Sequence, residues 1–168
     1  MRGAATAAAD FVHAEADLLD RGDYDTWLSL YADDAYYWIP LDRDQASPLS
    51  GPSHVYDTKD ALMARVIRLQ DPQNITQQPA SRCSRVVGRV WQVETSGAGE
   101  LPEGAVVVRA PVHTVEALPH HDPDDSLRVF AGATSWCLTP ENGSYRIRWK
   151  RIDLVNSEMG MYGVSIIL

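Results

Sequence analysis

The histidines and cysteines of this chain are the side chains whose spacing could specify a metal site. His120, His121 and Asp122 follow one another and supply the residue types of a mononuclear iron site, which takes two histidines and one carboxylate. Adjacent histidines on a strand point to opposite faces, so they converge poorly on one ion. The surrounding residues, 119–125, are rich in turn-forming types, and this pattern favours a polar loop over a metal site.

Cys83 and Cys137 are isolated in the sequence. A Rieske cluster takes two cysteines and two histidines at closely paired spacings, and neither cysteine has such neighbours. Two distant cysteines are also too few for a disulfide framework or a zinc site. The sequence therefore predicts no metal-binding and no cofactor-binding residues in this chain, and a reduced, cytoplasmic environment.

Acid–base catalysis in an apolar cavity is a second possible chemistry, because tyrosine, aspartate and histidine can serve it in small α+β domains. The candidate residues are Tyr31, Asp33, Asp34, Tyr36 and His113. No nucleophile–base spacing supports catalysis. The two aspartates are expected to end a helix and start a turn, the tyrosines to be core or interface, and His113 to be a hydrogen-bonded structural histidine. We predict no catalytic residue.

The arginines and tryptophans could serve binding. Arg65 and Arg68 share one predicted helix face, while Arg82 precedes and Arg85 opens the first long predicted strand. They could bind a carboxylate, pair with a partner subunit, or form ordinary surface pairs with the 23 acids of the chain. Separate predicted elements carry the tryptophans, which favours a core position for most and an interface for one or two: Trp27, Trp38, Trp91, Trp136 and Trp149.

Helices are the first elements that could position these side chains. Apolar spacing predicts a helix over 6–21, and Gly22 suits the left-handed position that follows a helix end. Asp23 can cap a second short helix. Its apolar face consists of residues spaced i, i+3 and i+4: Trp27, Leu30 and Tyr31.

The middle of the chain predicts a strand, a loop and a third helix. Residues 35–39 are aromatic and β-like and are stopped by Pro40. Residues 41–55 contain the proline, glycine and serine typical of a loop. Asp57 is expected to cap a helix over 58–70.

The second half of the chain reads as strands. They are predicted at 84–94, 105–118, 126–139, 144–155 and 163–168. Residues 140–143 supply a hairpin turn, and the alternation flips after Lys150, which predicts either a bulge or a strand that changes neighbours. Helices followed by strands predict an α+β fold, with helices packed on one face of a curved, mainly antiparallel sheet that forms a cone. We expect a single domain over 1–168, with 1–10 as a flexible extension.

The bulk properties exclude some partners. The formal net charge is −8, and no run of basic residues offsets it, which argues against nucleic acid and anionic membranes. No apolar stretch approaches the roughly 20 residues needed to span a bilayer. The short N-terminal alanine-rich stretch lacks the core of a signal peptide.

Several ordered motifs together resemble the small (β) subunit of bacterial aromatic-ring-hydroxylating dioxygenases. The resemblance covers about residues 11–168. Its motifs are LLDRGDYDTWLSLY at 18–31, DDAYYWIP at 33–40, YDTK at 56–59, RVIRL at 65–69, PASR at 79–82, FAG at 130–132 and YRIRWKRIDLVN at 145–156. Each segment is weak alone, but the ordered series is specific.

The resemblance implies the cone-like α+β fold shared with nuclear transport factor 2 (NTF2), cystatins and scytalone dehydratase. It also implies an α3β3 assembly in which small subunits self-associate as a trimer. The large (α) subunit would carry the Rieske [2Fe-2S] cluster, the mononuclear Fe(II) and the substrate pocket. The small subunit would be mainly structural, in a complex that uses NAD(P)H and O₂ to form cis-dihydrodiols in aromatic catabolism.

Two other interpretations stay open at this point. One is a free-standing cone-fold dehydratase or isomerase with a Tyr/Asp/His pocket, and the other is a dimerising cone-fold binding module. A buried Asp–His pair facing the interior would favour the free-standing enzyme. An interior filled by the chain's own side chains would favour the subunit. The apolar end of the chain, 164–168, is expected to be tied into the sheet.

Overall fold

The computed structural model of the chain describes residues 2–94, 101–119, 121–161 and 163–168. The helices are α1 (Arg2–Asp20), α2 (Tyr24–Ser29) and α3 (Lys59–Gln70), with short 3₁₀ turns at Ile75–Gln77 and Pro123–Asp125. The strands are β1 (Tyr31–Pro40), β2 (Ser53–Thr58), β3 (Arg82–Val87), β4 (Trp91–Gln92), β5 (Val106–Ala117), β6 (Leu127–Glu141) and β7 (Ser144–Leu154).

Across the described residues, seven strands form one curved sheet in the order β2-β1-β7-β6-β5-β3, with β4 also paired to β5. The pairs are antiparallel except for β1 beside β7, which is parallel. The helices pack against one face of this sheet, which we call the inner face; the opposite face is the outer face. The predicted α+β architecture is confirmed.

The junction between α1 and α2 follows the predicted chemistry. Gly22 has a φ of +70°, and the Asp23 N–H donates to the Leu18 carbonyl at 2.9 Å, closing the last turn of α1. The Asp23 carboxylate accepts from the Thr26 N–H at 3.3 Å and caps α2. Both predictions are confirmed.

Helix α1 is longer than expected. It begins at Arg2, not at residue 6, and so includes most of the stretch expected to be an N-terminal extension. Within that stretch, Ala8 is buried in the hydrophobic core. The burial of Ala8 shows that this part of α1 is packed on the core.

The prediction that Tyr31 belongs to α2 is wrong. Helix α2 ends at Ser29, and Tyr31 opens β1, where it lies opposite Ile147 of β7. The Ile147 N–H donates to the Leu30 carbonyl at 2.8 Å, so pairing with a distant strand overrides the local helical spacing. Asp33 and Asp34 therefore lie within a strand, not in a turn.

Two predictions around α3 are also wrong. The end of the expected loop is strand β2, in which Asp57 pairs with Tyr37 of β1. The residue that caps α3 is Thr58, whose hydroxyl accepts from the Ala61 N–H at 3.5 Å. The Asp57 carboxylate instead forms an ion pair with Arg65 at 2.6 Å.

The long strands follow the prediction except at two places. The first predicted strand is divided into β3 and β4, where the Gly88 N–H bonds the Pro111 carbonyl. Residues 163–168, predicted as a strand, pair with none of the described strands. The hairpin turn at 140–143 is confirmed, with positive φ at Asn142 and Gly143. Strand β7 does contain a bulge, but it lies at Arg148, before the predicted flip after Lys150.

Candidate functional site

The predicted acid–base residues do not share a pocket. Asp33 and Asp34 are exposed at the start of β1. Asp33 is paired with Lys59 at 2.6 Å, and the hydrogen bond from that ammonium lowers the pKa of the carboxyl. Asp34 is paired with Arg148. Both carboxylates therefore act as surface ion-pair partners.

Tyr36 and His113 lie far from each other in the sheet. The Tyr36 ring is half-buried between Tyr56 and Trp149, with ring centroids 5.8 and 6.5 Å away. His113 is exposed on the outer face of β5, so the expectation of a hydrogen-bonded structural histidine is wrong. No acid–base pair facing the interior is formed by these candidates.

The structure offers no metal site in the part of the chain that it describes. No group of three or more histidine, cysteine or acidic side chains converges within the described ranges, so those residues do not fit an iron centre. His120 lies outside the described residues, while His121 and Asp122 are exposed in the loop between β5 and β6. Cys83 and Cys137 are unpaired thiols on separate strands, and burial raises the pKa of Cys137 to about 11.

The predicted arginines divide into exposed and inward-facing pairs. Arg68 and Arg82 are exposed. Arg85 lies on the inner face, where its guanidinium pairs with Asp20 of α1 and donates to the Ile167 carbonyl. Arginine at this position thus joins a strand, a helix and the last described segment of the chain.

Residues 163–168 are held by side chains and not by a strand ladder. The Leu168 N–H donates to the Tyr37 hydroxyl at 2.9 Å, and that hydroxyl donates to the Leu168 carbonyl at 3.3 Å. Gln77 donates to the Ser165 carbonyl at 3.2 Å. The three apolar residues Ile166, Ile167 and Leu168 are buried in the core.

The main polar cluster of the inner face was not found from the sequence. Glu15 of α1 and Lys150 of β7 are almost fully buried, at 1% and 3% exposure, and their charged groups lie 2.6 Å apart. The same Glu15 oxygen accepts from the Trp27 indole at 2.8 Å, and the other accepts from the Trp136 indole at 3.3 Å. We call these four residues the Glu15 network.

The electrostatics of this network are set by burial. Burial lowers the pKa of Lys150, and the adjacent Glu15 carboxylate opposes that effect. The Lys150 ammonium also lies 5.6 Å from the centre of the Trp136 ring. Nearby, burial raises the pKa of Tyr31 well above its ordinary value, and its hydroxyl has no hydrogen-bond partner.

A local signal for Glu15 did exist. Glu15 lies on the same face of α1 as the buried Val12 and Leu19. Counted from Val12 as position i, Glu15 is i+3 and Leu19 is i+7. An acid in an apolar stripe requires a buried partner, because an unpaired charge is expensive to bury. Lys150 follows the bulge at Arg148 that turns it inward.

The arrangement of the Glu15 network is structural in character. Both carboxylate oxygens already accept hydrogen bonds, the ammonium is paired, and the pair is shielded from solvent. A general acid or base must instead reach a proton on a substrate. The network therefore joins α1, α2, β6 and β7 in one buried contact and leaves no free acid or base among its members.

Helices on the inner face of a curved, mainly antiparallel sheet define the class of cystatin-like, NTF2-like folds. An NTF2-like protein with a cystatin-like fold from Novosphingobium aromaticivorans superposes with a TM-score of 0.57 at 10% identity, covering 90% of this chain and 81% of that chain. The β subunit of benzoate 1,2-dioxygenase from Burkholderia mallei gives a TM-score of 0.65 at 22% identity, covering 94% and 95%. These two likenesses show the fold.

Sequence comparison shows the family. The family model described as ring hydroxylating beta subunit matches residues 14–161. The anthranilate 1,2-dioxygenase small subunit of Acinetobacter baylyi is 26% identical over 91% of this chain and 90% of its own length. The toluate 1,2-dioxygenase β subunit of Pseudomonas putida is 34% identical, but that match spans 54% of this chain and 59% of the relative. The chain belongs to the β-subunit family of aromatic-ring-hydroxylating dioxygenases.

Proposed function

We propose that this chain is the non-catalytic, structural β subunit of a terminal oxygenase, and that it supports a large, iron-bearing α subunit. The whole complex would use NAD(P)H and O₂ to convert an aromatic compound into a cis-dihydrodiol. The Rieske [2Fe-2S] cluster and the mononuclear Fe(II) would belong to the α subunit. The β chain would contribute no catalytic, metal-binding or cofactor-binding residue.

The observation that carries this proposal is the state of the inner face. In a free-standing enzyme of this shape, the interior would present an accessible acid or base. Here the interior presents the Glu15 network, whose charged groups are engaged with each other and with two indoles. Asp34 and His113, which a catalytic reading would need, are exposed.

The assembly and setting complete the proposal. We propose an α3β3 complex in which the β chains form a trimer, each as a single domain over residues 1–168. The complex would be cytoplasmic and would use neither nucleic acid nor membrane as a partner. The negative net charge supports the exclusion of nucleic acid and anionic membranes as partners. No helix within the described residues is long and apolar enough to cross a bilayer.

The test is reconstitution. The purified chain alone should contain no stoichiometric iron by metal analysis and should form no dihydrodiol. Benzoate is a suitable first substrate, because the structural relative from Burkholderia mallei is named for it. Adding the cognate large subunit, its reductase and NADH should give the product. Product formed without the large subunit would overturn the proposal.

Two variants separate a supporting role from a catalytic one. Asp34→Asn and Tyr31→Phe remove candidate acid–base groups while leaving the Glu15 network intact. Both should leave the kcat of the reconstituted complex within about twofold of the original, whereas loss of a general acid or base typically lowers the rate 10²–10⁴-fold. A loss of that size with normal assembly would favour a catalytic role for this chain.

A further inference from the structure

A short segment crosses the inner face without joining the sheet. Residues 163–168, which we call the strap, pair with none of the described strands. Ile166, Ile167 and Leu168 of the strap are nevertheless buried in the hydrophobic core, at 6%, 1% and 4% exposure. Buried backbone groups need hydrogen-bond partners, and without a strand ladder these partners are side chains. The side chains that hold the strap therefore show what the inner face can recognise.

One peptide unit of the strap is held from two distant strands. The Leu168 N–H and carbonyl are bonded to the hydroxyl of Tyr37 on β1, at 2.9 and 3.3 Å. The Ile167 carbonyl, which belongs to the same peptide unit as the Leu168 N–H, accepts from the guanidinium of Arg85 on β3. In the sheet, β7, β6 and β5 lie between β1 and β3. The strap therefore lies across the inner face.

The side chains that hold the strap are mainly hydrogen-bond donors. The Gln77 amide donates to the Ser165 carbonyl at 3.2 Å, and the Arg128 guanidinium donates to the Ser165 hydroxyl at 3.4 Å. Together with Tyr37 and Arg85, four donor side chains converge on oxygen atoms of the strap. Donors of this kind bind a carboxylate more strongly than a neutral carbonyl, because the hydrogen bond is then charge-assisted. The donor set suits a carboxylate better than the backbone that it holds.

Several buried polar atoms of these donor side chains have no partner. The Arg85 side chain is 3% exposed, and its Nε forms no hydrogen bond with any of the described residues. The Nε of Arg128 and the Oε1 of Gln77 are likewise buried without a partner in the described part of the chain. A cavity of about 40 Å³ adjoins Gln77, Ser165 and Ile166. Buried polar groups are normally hydrogen-bonded, so the strap satisfies this part of the inner face incompletely.

The charges around Tyr37 favour an anion at its hydroxyl. Burial raises the pKa of Tyr37, whereas the Leu168 backbone hydrogen bond and the guanidinium groups of Arg65 and Arg85 act to lower it. Glu15 opposes the two arginines. Each guanidinium is also paired with an aspartate, which reduces its pull on a further anion. A preference for a carboxylate at this end of the inner face is therefore expected to be moderate in size.

We propose that the strap occupies a ligand site of the inner face in cis, and that this site suits a small molecule with an apolar body and a carboxylate end. The body would replace the three buried apolar side chains of the strap. The carboxylate would accept hydrogen bonds from Tyr37 and Arg85. With the strap in place the site is closed, so it becomes available only when the strap is displaced. This inference goes beyond the proposed function, because it requires neither the large subunit nor its iron.

The experiment detaches the strap after the chain has folded. A protease cleavage sequence is inserted after Gly160, in an exposed loop, so that cleavage leaves the strap on a fragment held only by noncovalent contacts. Octanoate and octanamide are the probes, because they share an apolar body and differ in charge. Size exclusion followed by mass spectrometry measures release of the fragment. Octanoate should release it at about a tenfold lower concentration than octanamide, since a charge-assisted hydrogen bond is roughly twice as strong as a neutral one.

Two substitutions in the cut chain test the assigned donor. Arg85→Gln should remove the preference, so that the two probes release the fragment at equal concentrations. The matched control is Arg68→Gln, because Arg68 is an exposed arginine that does not hold the strap. This control should keep the preference for octanoate. Circular dichroism checks that both variants stay folded.

Each outcome decides the inference. A fragment that octanoate does not release below the concentration that unfolds the chain, or that both probes release equally, would overturn it. Calorimetry should show that the uncut chain binds neither probe, and binding by the uncut chain would place the site elsewhere. If the fragment leaves unaided, the emptied chain should bind octanoate about tenfold more tightly than octanamide. An emptied chain that unfolds and that octanoate does not refold would also overturn the inference.

Discussion

The two faces of the sheet differ in the side chains that they bury and expose. The inner face contains ionisable groups that are buried and paired, namely Glu15 with Lys150 and Glu116 with Arg128. The outer face of the same strands exposes valines. A lone domain would gain from the opposite arrangement, because burying apolar surface stabilises it and burying charge does not. The difference indicates that the inner face specifies how the helices dock, and that the exposed valines of the outer face contribute little to the fold of the chain by itself.

The largest expected effect tests the inner face. Glu15→Ala should lower the free energy of unfolding by about 3–5 kcal/mol, the usual loss when one partner of a buried ion pair is removed. Chemical denaturation would measure it. The matched control compares Glu15→Gln with Glu15→Gln/Lys150→Met. The double variant should be the more stable of the two, since it contains no unpaired buried ammonium. A double variant that is no more stable than Glu15→Gln would contradict the pairing.

A smaller effect on stability is expected from two buried tyrosines of the inner face, because only one of their hydroxyl groups is hydrogen-bonded. Tyr37→Phe leaves the Leu168 backbone groups without their partner and should cost about 1–3 kcal/mol. Tyr31→Phe removes a hydroxyl that has no partner and should leave the stability unchanged or slightly raised. Denaturation midpoints of the two variants would test the contrast. Equal losses would show that the Tyr31 hydroxyl is hydrogen-bonded.

The same tyrosines predict how stability depends on pH. Burial raises the pKa of Tyr31 and of Tyr37, so the folded chain keeps protons that the unfolded chain releases near pH 10. The contribution of these two tyrosines to the free energy of unfolding is complete below pH 10 and is lost as the pH rises further. Burial lowers the pKa of Lys150. This lysine therefore makes the free energy of unfolding rise with pH between its lowered pKa and about pH 10.5, opposite to the effect of the tyrosines. Urea denaturation from pH 10 to 11 should therefore show a decline in the free energy of unfolding that is shallower in Tyr31→Phe.

The smallest effect is expected on the outer face. Val129→Glu should change the stability of the monomer by less than about 1 kcal/mol, because the side chain contributes little buried surface before assembly. Its neighbour Phe130 points inward and is 6% exposed, so Phe130→Ala should cost about 3–5 kcal/mol. A large loss from Val129→Glu at concentrations where the chain is monomeric would show that the outer face already supports the fold.

Sequence reasoning succeeded where a structure depends on residues close together in the chain. Gly22 and Asp23 end one helix and begin the next through contacts within five residues, and the hairpin at Asn142 and Gly143 needs two adjacent positive φ values. The flip in alternation predicted a bulge in this strand, but the residue left without a partner is Arg148, before Lys150 and not after it. The motif at 130–132 has a physical basis as well, because a Cβ on Gly132 would lie 2.2 Å from the Asp153 carbonyl oxygen.

The remaining features were decided by contacts between distant residues. Glu15 meets Trp136 and Lys150 across 121 and 135 positions, and no local period encodes such a pairing. Tyr31 joined a strand, and Asp57 paired with Arg65 instead of capping a helix, because neighbouring strands offered backbone partners that the local sequence does not reveal. The sequence by itself determined the family, the fold class and the ends of several elements. Only the tertiary structure decided which polar groups are buried together and which valines remain exposed, because burial depends on how all the elements pack.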